Sequence, residues 1–311
     1  MSGILIAGNA VHDILVRAVE ELEWGRSRWV DIEHGLGGNG ANTAFAAAVL
    51  GARVRLAAFI GTDAAGDDTM RRLASAGVDT RDVVRLDAAT PSTVVLVNPG
   101  GARMLLHCPG ASREAFPEPL EFTGGAAGGC SRFHLANAYA LPHMRRHGAA
   151  CLKRAREAGL ATSVDTGWDS RGEWMDVLAP CLPWTDLLFV NEDEARMLTG
   201  EAEPSRAARV FRDRGARAAV VKLGAAGCAV FSEAGELRVP GFQVEAVDTT
   251  GAGDCFAGGF LAGLQRGLDM AGAARLANAA GALSVSRLGA VTGLLPFAET
   301  LEWMRSAPLS D

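Results

Sequence analysis

Short, strongly apolar runs recur along this chain, most followed by a stretch with helical character. Residues 4–7, 54–60, 133–136, 161–165, 187–190 and 219–222 are such runs. Apolar at consecutive positions, they suit strands buried on both faces better than the alternation of a half-exposed sheet. Residues 41–50, 66–76 and 144–158 read as helices, stopped by Gly51, Gly77 and Gly159. Alternation of this kind implies a three-layer α/β fold, with a mostly parallel sheet and helices on both faces. At 311 residues the chain can bury a large core, and we expect residues 1–311 to form a single domain. Ligands of such sheets sit beyond the carboxyl ends of the strands. In this reading Asp13, Asp165, Asn191, Gly224 and Asp254 fall at or just past strand ends.

One junction carries more chemistry than the others. Residues 242–247 read as a strand, and Phe256, Phe260, Leu264 and Leu268, spaced four apart, mark one stripe of a helix. Gly251-Ala252-Gly253 is then a strand-to-helix turn with Asp254 in the first helical turn. Small residues let a ligand approach the backbone, and the free N–H groups of the helix start favour an anion. A carboxylate beside an anion repels it unless it has chemical work to do. It can take the proton of a hydroxyl that attacks a phosphoryl group. The plainer alternative is a first-turn acid that only complements the helix dipole, which is what a lone Gly-x-Gly-Asp usually is.

The run is longer than that. Asp248-Thr249-Thr250-Gly251-Ala252-Gly253-Asp254, followed by small and aromatic residues, resembles the C-terminal signature of the ribokinase-like (PfkB) family of carbohydrate kinases. The resemblance implies a ribokinase-like fold with a small β lid. It also implies ATP-dependent phosphorylation of a hydroxyl on a sugar, sugar phosphate or nucleoside. Asp254 would be the general base, and the amides of Gly251, Ala252 and Gly253 the anion hole. Gly37-Gly38-Asn39-Gly40-Ala41-Asn42-Thr43-Ala44 is similar to the family's N-terminal signature, which implies Gly38, Asn39 and Asn42 beside the substrate. Asn39 stands where some ribokinases have lysine, which puts ribose itself in question. Asp13 matches the acid that binds sugar hydroxyls after the first strand, and a carboxylate can accept from two of them. Its alternative is a turn aspartate bonded to its own backbone. Asp165 matches a region near substrate or phosphates, and a turn acid accounts for it equally well.

Further positions follow from the same resemblance. Asn191 and Glu194 match an Asn-x-x-Glu motif that places Mg²⁺ and its waters, Glu194 acting through water. On spacing alone they are an acidic helix start. Residues 219–227 are similar to the family's nucleotide-binding strand and loop, which implies Lys222, Gly224 and Gly227 near ATP, although Lys222 could equally reach solvent. No Gly-x-x-x-x-Gly-Lys loop is present. Asn278 would lie beside the adenine, and Asp248, Thr250, Ser284, Arg287 and Gly289 would hold K⁺.

Residues 14–34 and 91–110 read as the lid strands, the second with a hairpin signal at Asn98-Pro99-Gly100-Gly101. An apolar lid implies a homodimer formed through it. The formal charge of −6 argues against a nucleic-acid partner. No signal peptide and no apolar span of membrane-crossing length are evident, so a cytoplasmic protein without a membrane partner is expected. The 6 cysteines lack metal-site spacing and suit buried thiols in a reducing compartment. Gly35-Leu36-Gly37-Gly38-Asn39-Gly40 also spells the Gly-x-Gly-x-x-Gly fingerprint, so an NAD-dependent oxidoreductase is the rival from another class. That motif should follow the first strand of a βαβ unit, whereas residues 4–7 already serve as that strand; Asp63, after the next strand, keeps the rival open. Among acceptors an unphosphorylated sugar comes first and a nucleoside second. A sugar phosphate would need cations near the lid, where His12, Arg103 and His107 are the candidates.

Overall fold

The computed structural model describes residues 2–310 except 18, 20, 21, 99–102 and 123–127. Seven parallel strands form the body of the main sheet: β1 (Gly3–Ala7), β4 (Val54–Gly61), β5 (Asp79–Leu86), β8 (Cys130–Leu135), β9 (Ala161–Asp165), β10 (Leu187–Asn191) and β11 (Ala218–Lys222). The hairpin of β12 (Cys228–Ser232) and β13 (Gly235–Val239) adds antiparallel strands at one edge, giving the nine-stranded order β13-β12-β11-β10-β9-β8-β1-β4-β5.

The consecutive apolar positions are explained by burial on both faces. Ile4 and Ile6 join Leu56, Phe189 and Val220 in a core roofed by α1 (Asn39–Val49), α7 (Ala252–Gln265) and α8 (Met270–Val285). Leu5 and Ala7 join Leu135, Val164, Leu188 and Val221 in a second core under α3 (Met144–Glu157), α5 (Glu192–Thr199) and α6 (Pro204–Asp213). The remaining helices are α2 (Ala64–Ser75), the short α4 (Trp174–Leu178) and α9 (Phe297–Ser306). None of the described helices is long and apolar enough to cross a membrane. Helix α7 is seated by aromatic contacts: the Phe260 ring meets Phe189 of β10 edge-to-face, with centroids 5.3 Å apart.

A second sheet stands off the first. It contains β2 (Val11–Arg17), β3 (Asp31–Gly37), β6 (Ser92–Val97) and β7 (Arg103–Cys108), in the order β3-β2-β6-β7. These are the expected lid strands, with bounds somewhat wider than residues 14–34. The expected turn residues Pro99, Gly100 and Gly101 lie outside the described residues. Met104, Leu105 and Leu106 are exposed along β7; at the other edge of this sheet Ile32 is exposed on β3, with Trp24 and Trp29 exposed in the segment that precedes β3.

Three expectations are corrected. Residues 242–247 are not a strand; Phe242 makes one isolated bridge to Leu309. Among the described residues no further strand adds to the edge beyond β13, and the segment instead donates from Gln243 N to Pro308 O and from Val247 N to Val285 O. Asp13 is not at the end of a core strand but inside β2 of the lid. Gly35 and Gly37 belong to β3, paired to β2 at Asp13 and Val11, rather than to a loop. Strand β5 leaves no apolar run in the sequence, because Arg81, Asp82 and Arg85 interrupt it on this edge of the sheet.

Phe260 is fully buried, so Phe260→Ala should cost about 3–5 kcal/mol. A denaturant midpoint within error of wild type would show that α7 is not anchored by this ring.

Candidate active site

The turn before α7 is built as its glycines suggest. Gly251 is the N-cap residue with φ +73°, and a Cβ there would come within 2.6 Å of the Ala290 Cβ. Asp254 follows in the first turn, half-buried, with its carboxylate turned into the protein. Its Oδ1 accepts from Asn39 Nδ2 at 2.8 Å and its Oδ2 from Asn42 Nδ2 at 3.0 Å. Both asparagines lie at the start of α1, three residues apart and so on one face. Helix α1 follows β3 directly, with Gly38 at φ +90° as the joint. Desolvation raises the Asp254 carboxyl above its ordinary value, while the two amide donors and Lys222 work in the opposite direction.

Asn39 is itself oriented. Asn137, just past β8 and in a left-handed conformation at φ +70°, donates from Nδ2 to Asn39 Oδ1 at 3.0 Å. Its own Oδ1 accepts from the amides of Tyr139 and Ala140. Asn137 was not among the expected site residues, although a polar residue just past an apolar strand is the signal that marks the other strand ends.

Lys222 does not reach out to solvent. It ends β11 with Nζ 3.0 Å from both oxygens of Asp165, the last residue of β9. A methyl added at Gly253 would lie 3.2 Å from that Nζ, so the ammonium sits over the 251–253 turn. Burial lowers Lys222, but Asp165, Glu194 and Asp254 outweigh it, so the side chain stays charged at neutral pH. Asn191 and Glu194 form a reciprocal capping box on α5: Asn191 Oδ1 accepts from Glu194 N at 2.8 Å, and Glu194 Oε2 from Asn191 N at 3.0 Å. Thr166, also absent from the expected set, donates to the same Oε2 at 2.8 Å.

Asn39, Asn137, Asp165, Asn191, Glu194, Lys222 and residues 251–254 line one cavity of about 710 Å³, along with Gly224, Gly227 and Asn278, whereas Asn42 and Thr166 are buried behind its wall. Asn278 donates from Nδ2 to Val239 O at 3.0 Å and to Pro240 O at 2.9 Å, so its amide N–H groups hold the cavity wall.

Asp13, in β2 of the lid, is buried and is not among the residues that line this cavity. Gly37, close to it across the β2–β3 pair, has no room for a side chain: a Cβ would meet Asp13 Oδ2 at 2.2 Å. Burial pushes the Asp13 carboxyl up to about 7, helped by the charges of Asp248 and Asp254 and opposed by a hydrogen bond from Thr93. Thr93 also bonds His107 Nδ1 at 3.0 Å. His12, on the opposite face of β2, contacts His34 Nδ1 at 2.9 Å and lies 3.6 Å from Asp68.

The group expected around K⁺ lies behind the turn. Asp248 Oδ1 accepts from Thr250 N and Oδ2 from Gly289 N, each at 2.9 Å, and Arg103 of the lid pairs with Asp248 as well. Ser284 donates to Gly281 O at 2.8 Å. Arg287 lies in the same loop as Gly289.

The sequence matches the pfkB family carbohydrate kinase description over residues 4–297. The chain belongs to the PfkB family. Among its relatives, the ATP-dependent ribose-1-phosphate kinase of Halopiger xanaduensis is 34% identical over 279 residues, covering 88% of this chain and 84% of that protein. The aminoimidazole riboside kinase of Salmonella typhimurium is 32% identical, covering 87% and 88%. The structure of Arabidopsis thaliana ribokinase with ribose and ATP superposes with a TM-score of 0.84 at 26% identity, covering 98% of this chain and 99% of that one. An Escherichia coli protein provisionally named ribokinase II, solved with ATP and Mg²⁺, gives 0.84 at 25% identity, with coverage of 98% and 99%.

As a PfkB-family kinase the chain is a phosphotransferase with an alcohol acceptor, and its fold is that of the ribokinases. The dinucleotide alternative fails on position. Its first glycines lie in β3 of the lid sheet, antiparallel to β2, rather than in the first turn of a parallel βαβ unit.

The raised Asp13 sets an expectation for pH. If Asp13 accepts from a substrate hydroxyl, protonation below about 7 removes that acceptor, and kcat/KM should fall as pH drops through that value. An acid limb confined to the ordinary carboxylate range near roughly pH 4 would count against this environment for Asp13.

Proposed function

We propose that this chain transfers the γ-phosphoryl group of MgATP to a hydroxyl of a small, unphosphorylated sugar. One observation carries the reading: an enclosed carboxylate, Asp254, is held by two asparagine amides at an anion-binding helix start, with the Lys222 ammonium over the same turn. Residues 1–311 act as one kinase domain, with β2, β3, β6 and β7 as its lid.

In this scheme Asp254 accepts the proton of the attacking hydroxyl. The amides of Gly251, Ala252 and Gly253 and the Lys222 ammonium meet the negative charge that develops on the transferring group. Asp13 accepts from sugar hydroxyls at the lid side, with Gly38, Asn39, Asn42 and Asp165 completing the acceptor side of the site. ATP lies along the cavity past Gly224 and Gly227, with its base toward Asn278. Among the described residues no group of three acids, histidines or cysteines forms a metal cage. Mg²⁺ does not need one, because it keeps waters and phosphate oxygens and takes one or two carboxylates. Glu194 fits that part: both of its hydrogen bonds end on Oε2, which leaves Oε1 to water. When bound, Mg²⁺ supplies charge neutralisation across the phosphates.

The three cations near the lid support an acceptor without phosphate. Burial lowers His12, with His34 adding to it, and burial alone lowers His107, so neither is charged at neutral pH. Arg103 is already paired with Asp248. A nucleoside is the second reading, on the likeness to the riboside kinase. Trp168, at the cavity and 58% exposed, offers a ring face for a base.

Five of the free cysteines are buried and Cys108 is exposed, which together with ATP dependence suits the reducing cytoplasm. The exposed apolar residues of β7 support a homodimer through the lid. Leu105→Lys should then give monomers by light scattering; an unchanged mass would remove the lid as the interface.

Coupled ADP release with MgATP, run against sugars, sugar acids, sugar phosphates and nucleosides, tests the whole proposal. Turnover confined to one class names the acceptor, and turnover only with sugar phosphates refutes the reading of the lid cations. Asp254→Asn should lower kcat by roughly 10²–10⁴ while MgADP binding, measured by calorimetry, stays close to wild type. Near-normal turnover of that variant would sink the base assignment.

A further inference from the structure

Arg103 opens β7 at the rim of the lid, yet its guanidinium belongs to the segment that precedes the anion turn. Nη1 donates to Asp248 Oδ1 and to Thr250 Oγ1, and Nη2 donates to Thr249 Oγ1 at 2.8 Å. The Asp248 side chain is 4% exposed and that of Arg103 29%. A carboxylate this deeply buried needs a counter-charge, and an unpaired one would be strongly destabilising. The two backbone amides on Asp248, from Thr250 and Gly289, supply dipoles but no net charge.

This is the place where the family resemblance implies K⁺. The residues do not fit a bound alkali ion well. Such an ion needs oxygen lone pairs turned toward it and free of donors. Asp248 Oδ1 accepts two N–H bonds, from Thr250 N and Arg103, which fill its lone pairs; Oδ2 accepts one, from Gly289 N, and the Thr250 hydroxyl accepts from Arg103. The Ser284 hydroxyl is directed to Gly281 O, and the Gly289 amide, rather than an oxygen, faces Asp248.

We propose that Arg103 is the resident cation of this seat. The guanidinium bridges Asp248, Thr249 and Thr250, so the lid strand, and not a bound monovalent ion, holds the approach to Gly251 in shape. Arg103 is then a positioning residue: it acts on the anion turn through residues 248–250 and touches neither substrate. The inference rests on the kinase reading above for its effect on turnover, but not for its effect on stability.

The test has two arms. Wild-type protein is melted in KCl, NaCl and choline chloride at equal ionic strength, with and without MgADP, and MgADP affinity is measured in each salt. Equal melting temperatures and affinities are expected. A rise specific to K⁺ overturns the proposal, whether or not any sugar is turned over. In the second arm, Arg103→Ala should lower kcat roughly ten- to hundredfold, the loss of charged hydrogen bonds to a buried carboxylate, with a smaller change in sugar KM. Millimolar guanidinium should recover part of that loss and raise the variant's melting temperature. An unchanged kcat, or a loss that guanidinium does not relieve, rejects the role. If the variant does not fold, the wild-type salt comparison still decides. If no acceptor is turned over, the kinase reading fails while the melting arm still reports on Arg103.

Discussion

Enclosed carboxylates surrounding a single ammonium are the constraint around which this structure is arranged. Asp254, Asp165 and Glu194 all influence Lys222, whose Nζ is held by Asp165 and lies over the anion turn. Ionised groups largely withdrawn from bulk water are stable only if most of their hydrogen bonds are met. Here two asparagine amides meet those of Asp254, the ammonium those of Asp165, and a capping box with one threonine those of Glu194. Satisfying them draws α1, β9, β10, β11 and α7 toward one point.

The parallel sheet makes that convergence geometrically simple. Strands buried on both faces run the same way, so Asp165, Asn191 and Lys222 arrive together as the last residues of adjacent strands. In the register of β10 and β11, Asn191 stands directly beside Lys222. The lid sheet then brings Asp13 from the other side, and the side-chain-free Gly37 makes room for its carboxylate. The site is thus shared between a rigid sheet and a small sheet that stands off it, a division suited to excluding water around a phosphoryl group.

The proposed choice of acceptor rests on which charges are already engaged. A neutral pair, Asn39 with Asn137, occupies the place beside Asp254, and the lid histidines are held neutral by burial. Positive charge is concentrated at Lys222, over the 251–253 turn, and at Arg103, behind it. That distribution supports the proposed preference for hydroxyls over a second phosphate at the acceptor end.

The α/β class, the helix start at residues 251–254 and the strand ends at Asp165 and Asn191 are legible in the amino-acid sequence alone. Buried parallel strands, helix stops and glycine turns each leave a local mark on composition and spacing. Edge elements are less legible: β5 carries too many charges to read as apolar, and residues 242–247 mimic a strand without a neighbour to pair with. The placement of Asp13 in the lid, the inward turn of Lys222 and the parts played by Asn137, Thr166 and Arg103 emerge only from the three-dimensional packing. Distance along the chain is the cause. Asn137 reaches Asn39 across 98 residues and Arg103 reaches Asp248 across 145, and a side-chain bond over such spans leaves no periodicity or spacing to read.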